Sequence, residues 1–103
     1  MSAYVLHPEA YTDLGEIWEF IAEDNMDAAD RLLEEIHNAI RGLVSFPHQG
    51  YRRPDLTSRH LRFQTVRDFL IAYAPNEKPL LVVAVLHGRW SPRVMAAVLR
   101  DRE

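Results

Sequence analysis

The chain has 103 residues, room for one domain and not two, with 48% hydrophobic and 26% charged residues, a globular composition rather than a disordered one. It contains no cysteine, which excludes disulfides, thiolate zinc sites and cysteine nucleophiles and suits a reducing cytoplasm. Its longest apolar run, Leu80 to Leu86, falls far short of the ~20 residues that cross a bilayer, and the N-terminus lacks the pattern of a signal peptide.

Tyr4-Val5-Leu6 is a short β-prone run, and Pro8 is well placed at the first position of a helix, where its missing N–H has no intrahelical partner to lose. Tyr11, Leu14, Ile17, Trp18 and Ile21 then recur at helical steps, with Glu9, Asp13, Glu16, Glu19 and Glu23 turned toward solvent. Asp27 is the expected N-cap of a second helix whose face is Ala29, Leu32, Leu33, Ile36, Ile40, Leu43 and Val44 and which runs until Pro47. Two helices joined so tightly are antiparallel neighbours. Pro47-His48-Gln49-Gly50 is turn chemistry, followed by an Arg-rich stretch.

Leu61 to Val66 alternates as a half-exposed strand, Arg67-Asp68 is a turn, and Phe69 to Ala74 is a second strand. Leu80 to Leu86 is continuously apolar, as expected of a central strand covered on both faces. Ser91-Pro92 supplies an N-cap and first turn for a last helix with a Val94, Met95, Val98, Leu99 stripe. The expectation is a single α+β domain of order β-α-α-β-β-β-α, a helical hairpin packed on a small, mostly antiparallel sheet.

The formal net charge of -3 conceals a division. Residues 1–50 hold ten acidic side chains against two basic ones, whereas residues 51–103 hold ten basic against five acidic. Either the two halves present surfaces to different partners, or acidic helices pack beside a basic sheet and neutralise it. Arg52, Arg53, Arg59, Arg62 and Arg67, interleaved with Tyr51 and Phe63, form the densest basic stretch. It suits an acidic protein partner or solvation better than nucleic acid, because a sequence pI near 5.9 is low for a protein that must neutralise many phosphates.

Several phrases in this order resemble the ParE/RelE superfamily of small bacterial toxins, with the ParE branch the nearer. They are Tyr4-Val5-Leu6 with Pro8-Glu9-Ala10 and Asp13-Leu14, the helix exit Leu43-Val44-Ser45-Phe46-Pro47-His48-Gln49-Gly50, Leu61-Arg62, Phe69-Leu70-Ile71-Ala72-Tyr73, and Val85-Leu86-His87-Gly88-Arg89. The resemblance implies a toxin of a type II toxin–antitoxin pair, neutralised by a cognate, ParD-like antitoxin whose amphipathic helix lies in an apolar groove. It offers two targets: ParE-like members inhibit DNA gyrase, and RelE-like members cleave mRNA in the ribosome.

Metal-free RNA cleavage needs an acid, a base and cationic groups for the phosphorane. RelE-like toxins place a Tyr or His near the C-terminus, and no Tyr or His follows Trp90 here. The residues left for that chemistry are His60, Arg62, His87 and Arg89. A ParE-like reading expects no catalytic residue and makes Arg89, Trp90 and Arg93 the first candidates for target binding, with Trp90 either a partner-facing anchor or a cap on the sheet edge. A third reading is a non-toxic relic that only binds its antitoxin. His7, His37, His48, His60 and His87 have no paired spacing and the four glycines form no phosphate loop, so neither a metal nor another cofactor is expected.

Overall fold

The computed structural model describes residues 3–102. The elements are β1 (Tyr4–Leu6), α1 (Pro8–Ala22), α2 (Met26–Ser45), β2 (Arg62–Val66), β3 (Phe69–Ala74), β4 (Leu80–His87) and α3 (Pro92–Arg100). The four strands form one sheet in the order β1-β4-β3-β2, with β1 parallel to β4 and the other pairs antiparallel. Element order and fold class match the sequence expectation.

Local chemistry explains where the helices begin. Pro8 opens α1, and the His7 ring accepts the Glu9 N–H at 3.1 Å. Asn25, rather than Asp27, caps α2: its side-chain oxygen accepts the Ala28 N–H at 3.0 Å. Asp27 falls in the first turn instead, where its charge favours the helix dipole. Ser91 caps α3 through the Val94 N–H at 3.3 Å.

The sheet has a core on each face. Leu14, Ile17, Ile36 and Ile40 of the helical hairpin cover Phe69, Ile71, Tyr73, Val82 and Val85. Met95 and Leu99 of α3, with Leu56 and Leu61, cover Phe63, Leu70, Ala72, Val83, Ala84 and Leu86. The alternation of β3 is therefore real although its sequence reads as a continuous apolar run: odd positions face the hairpin and even ones face α3. Each fully buried aliphatic side chain contributes about 1.5–3 kcal/mol.

Two members of the expected apolar stripes are exposed rather than packed in this core. Tyr11 of α1 is 73% exposed and Val94 of α3 is 46% exposed. Helical spacing defines a face but not its width, and both residues sit at the margin of theirs. Trp18 ties the two hairpin helices together through its indole N–H, which donates to Asp30 at 2.8 Å.

In β4 the register slips, with Ala72 opposite Ala84 and Tyr73 opposite Val82. Val83 is thus an extra residue, and Val83 and Ala84 both belong to the α3-side core. β1 stops at Leu6, opposite Val82, and leaves the edge of β4 beyond the bulge without a strand. Side chains complete it: Asp13 accepts the Val85 N–H at 2.9 Å, and Arg102 donates to the Val83 carbonyl at 3.3 Å.

The exit from α2 is pinned from the sheet. The Tyr73 hydroxyl donates to the Pro47 carbonyl at 2.7 Å and accepts the Gly50 N–H at 3.0 Å. Burial raises the Tyr73 pKa, so the phenol keeps the proton it donates. Tyr51 then pairs with Phe63 in an isolated bridge beside β2. A Cβ on Gly50 would stand 2.5 Å from the Tyr73 oxygen and 2.7 Å from the Phe63 carbonyl, so glycine is required by close approach. Gly50→Ala is expected to cost about 1–3 kcal/mol by urea denaturation, the range of an overpacked site. An unchanged midpoint would contradict this packing.

Candidate functional site

The residues expected to carry function fall into two groups. Arg62 is paired with Tyr73 at one end of β3, whereas His87 is paired with Phe69 at the other. Phe69 and Tyr73 are four residue steps apart, about 13 Å along the strand at ~3.3 Å per residue. His60 lies beyond the first end and Arg89 beyond the second. These four residues, candidates for one acid–base centre, therefore do not form a single constellation.

The end of β4 is the more assembled of the two. His87 lies between Phe69 and Trp90, with ring centroids 4.9 Å apart on each side. This stack extends the apolar hairpin face past the last strand residue and holds the half-buried imidazole as a packing element. The chain turns at once: the Trp90 N–H donates to the His87 carbonyl at 3.1 Å, and the Gly88 N–H donates to the Asp68 carbonyl at 2.7 Å. A Cβ on Gly88 would stand 3.0 Å from that carbonyl oxygen, so the strand exit is stapled closely to the β2–β3 turn. In that turn Arg67 adopts a left-handed backbone, with φ of 51°. Its guanidinium reaches Glu35 of α2 at 3.0 Å.

Trp90 is 40% exposed and Arg89 is 86% exposed, with only a 3.8 Å approach to an equally open Asp68. Arg93 follows on the exposed first turn of α3. Between the β2–β3 turn and α3 lies a concavity of about 310 Å³, lined by Arg53, Arg67 and Arg89, by Tyr51 and Met95, and by a single acid, Asp68. The sequence points to Arg89 for this end and to Arg53 and Arg67 only as members of the dense basic stretch, without joining them to Arg89. Their common destination depends on the Tyr51–Phe63 bridge and the β2–β3 pairing, neither of which has a local signature.

The dense Arg stretch is only partly available to a partner. Arg53 holds Asp55 through two hydrogen bonds, 2.9 and 2.7 Å, which hold the Asp55 pKa below its ordinary value. Arg59 donates to the Leu99 carbonyl at 3.1 Å and Arg62 to the Gly50 carbonyl at 2.7 Å. Phe63 is fully buried. The charge division is partly neutralised within the fold: Arg67–Glu35 and Arg102 with Glu9 and Asp13 join the halves, while Arg52, Arg89 and Arg93 remain exposed. Among the described residues, no three His, Asp or Glu side chains gather to hold a metal ion, and no helix is long and apolar enough to cross a membrane.

A four-stranded sheet carries a helical hairpin on one face, with an aromatic and arginine cluster at the exit of its central strand: a small α+β scaffold with a binding-type surface. The family model of the ParE toxin of type II toxin–antitoxin systems, parDE, matches residues 4–92. The chain belongs to this family, whose toxins pair with antitoxins. No curated protein matches the chain significantly.

Proposed function

We propose that this toxin inhibits DNA gyrase by binding it, through the surface around Arg89, Trp90 and Arg93, and that a cognate antitoxin neutralises it in the cytoplasm. The observation that carries this reading is the end of β4. There the one histidine near the strand exit is packed between two rings, while an arginine and a tryptophan project beside it. Such a patch suits recognition of an acidic surface, because guanidinium and indole groups supply most of the energy of typical binding sites. No bond-making step is required of it. The whole chain acts as one domain in this reading, with the basic concavity facing the target.

Purified protein added to a gyrase supercoiling assay is expected to block supercoiling in a concentration-dependent way, and His87→Ala is expected to reduce this only as far as it loosens the aromatic stack. The RelE-like reading gives the opposite pattern: cleavage of ribosome-bound mRNA, abolished by His87→Ala, with gyrase unaffected. A protein inert in both assays and harmless on induction would be the relic that only binds its antitoxin.

A further inference from the structure

The other end of the sheet carries a second basic cluster that the target-binding reading leaves unused. His48, Arg52, His60 and Arg62 line one concavity of about 190 Å³, closed by Leu61, Pro75 and Asn76. No acidic side chain is among its described lining residues. The four groups come from three segments: His48 from the turn after α2, Arg52 from the stretch leading from Tyr51, and His60 and Arg62 from the run into β2. They are brought together by fixed structure. Tyr73 clamps the turn at Pro47 and Gly50, and Arg62 donates one N–H to the Gly50 carbonyl at 2.7 Å. That bond orients the guanidinium and leaves its other N–H groups available.

We infer that the concavity formed by His48, Arg52, His60 and Arg62 binds a phosphate group. Two guanidiniums and two imidazoles, on three segments of chain, line one space, and a tetrahedral oxyanion with several acceptor oxygens can use more of these N–H donors than a planar anion can. A carboxylate is planar and is satisfied by the fork of one arginine. The volume suits a phosphate with part of its ester and is small for a whole nucleotide. The phosphate belongs either to a small phosphate or phosphate ester or to the backbone of a nucleic-acid strand. The site lies about the length of β3 from Arg89, so it is independent of the gyrase reading and can fail separately from it.

The test is an ¹⁵N NMR titration of the full chain with inorganic phosphate, with a thymidine oligonucleotide, and with acetate at matched ionic strength. Saturable shifts at Gly50, Arg62 and Asn76 with phosphate are expected. The Arg52→Gln/His60→Gln variant, altered only at exposed positions, is expected to bind at least about tenfold more weakly, as loss of a charge-assisted hydrogen bond predicts. Arg52→Lys, which keeps the charge and loses the fork, is expected to fall between the two. A response to the oligonucleotide alone assigns the phosphate to a strand and supports the site. Acetate binding as tightly as phosphate, no saturable response to either phosphate source, or undiminished binding by the double variant overturns it.

Discussion

Replacing Asp13 by alanine is expected to cost about 3 kcal/mol of folding stability, the lower end of what breaking a buried ion pair from one side costs, because this pair is largely rather than wholly buried. Asp13 and Arg102 are only 13% and 11% exposed at the side chain. They meet through two hydrogen bonds, 2.5 and 2.9 Å, and Glu9 approaches the same guanidinium at 3.4 Å. Asp13 holds the Arg102 pKa above its already high value, and an arginine keeps its proton even without such a partner, so the guanidinium cannot escape the loss of Asp13 by deprotonating. Two groups lose their main partner at once: the guanidinium, left with the Val83 carbonyl and Glu9, and the Val85 N–H on the open edge of β4. Against a total stability of about 5–15 kcal/mol, this is a large fraction. Urea denaturation measures it, and a double-mutant cycle with Arg102→Leu is expected to show strong coupling, because each single change leaves the other partner buried. A cost below about 1 kcal/mol for Asp13→Ala would show that water reaches the pair freely.

That clamp also marks where sequence reading stops. Asp13 stands out in the sequence as part of the Asp13-Leu14 phrase that resembles the family and as one of five acids on a helical pattern that turns all five toward solvent. Its burial depends on a partner 89 positions away and on a strand edge that exists only because β1 is three residues long. Elements bounded by strong local chemistry were legible: Pro8, the Arg67-Asp68 turn, the apolar β4 and Ser91-Pro92 all stand where their physics puts them. The Asn25 cap was missed because Asn25 and Asp27 are both competent caps and only the packing of the hairpin chooses between them. For the site, Arg89 and Trp90 were legible as unusual residues at a strand exit. The stacking that gives His87 a packing role was not, since it requires the β3–β4 register. Likewise, nothing local separates Arg52, which stays exposed, from Arg53, which is engaged by Asp55.

Arg89→Glu and Trp90→Ala are each expected to weaken the toxin for its target by about 30-fold or more, while leaving the fold intact. Truncation of a central tryptophan or arginine at an interface typically costs at least ~2 kcal/mol, and that energy corresponds to about 30-fold in affinity. Reversing the Arg89 charge adds repulsion from an acidic partner. The folded chain itself loses little from Arg89, because its ion pair with Asp68 is long and open to water, and such pairs contribute about 0–1 kcal/mol. Trp90 is more entangled with the structure, since it covers one side of His87, so Trp90→Phe serves as the companion variant that keeps an aromatic contact. Colony formation on induction without antitoxin reads toxicity with no assumption about the target, and urea midpoints on the same proteins read stability. Full toxicity in both variants would move the target surface away from the β4 exit. Lost toxicity with a midpoint close to that of the unaltered chain would place Arg89 and Trp90 in the contact itself.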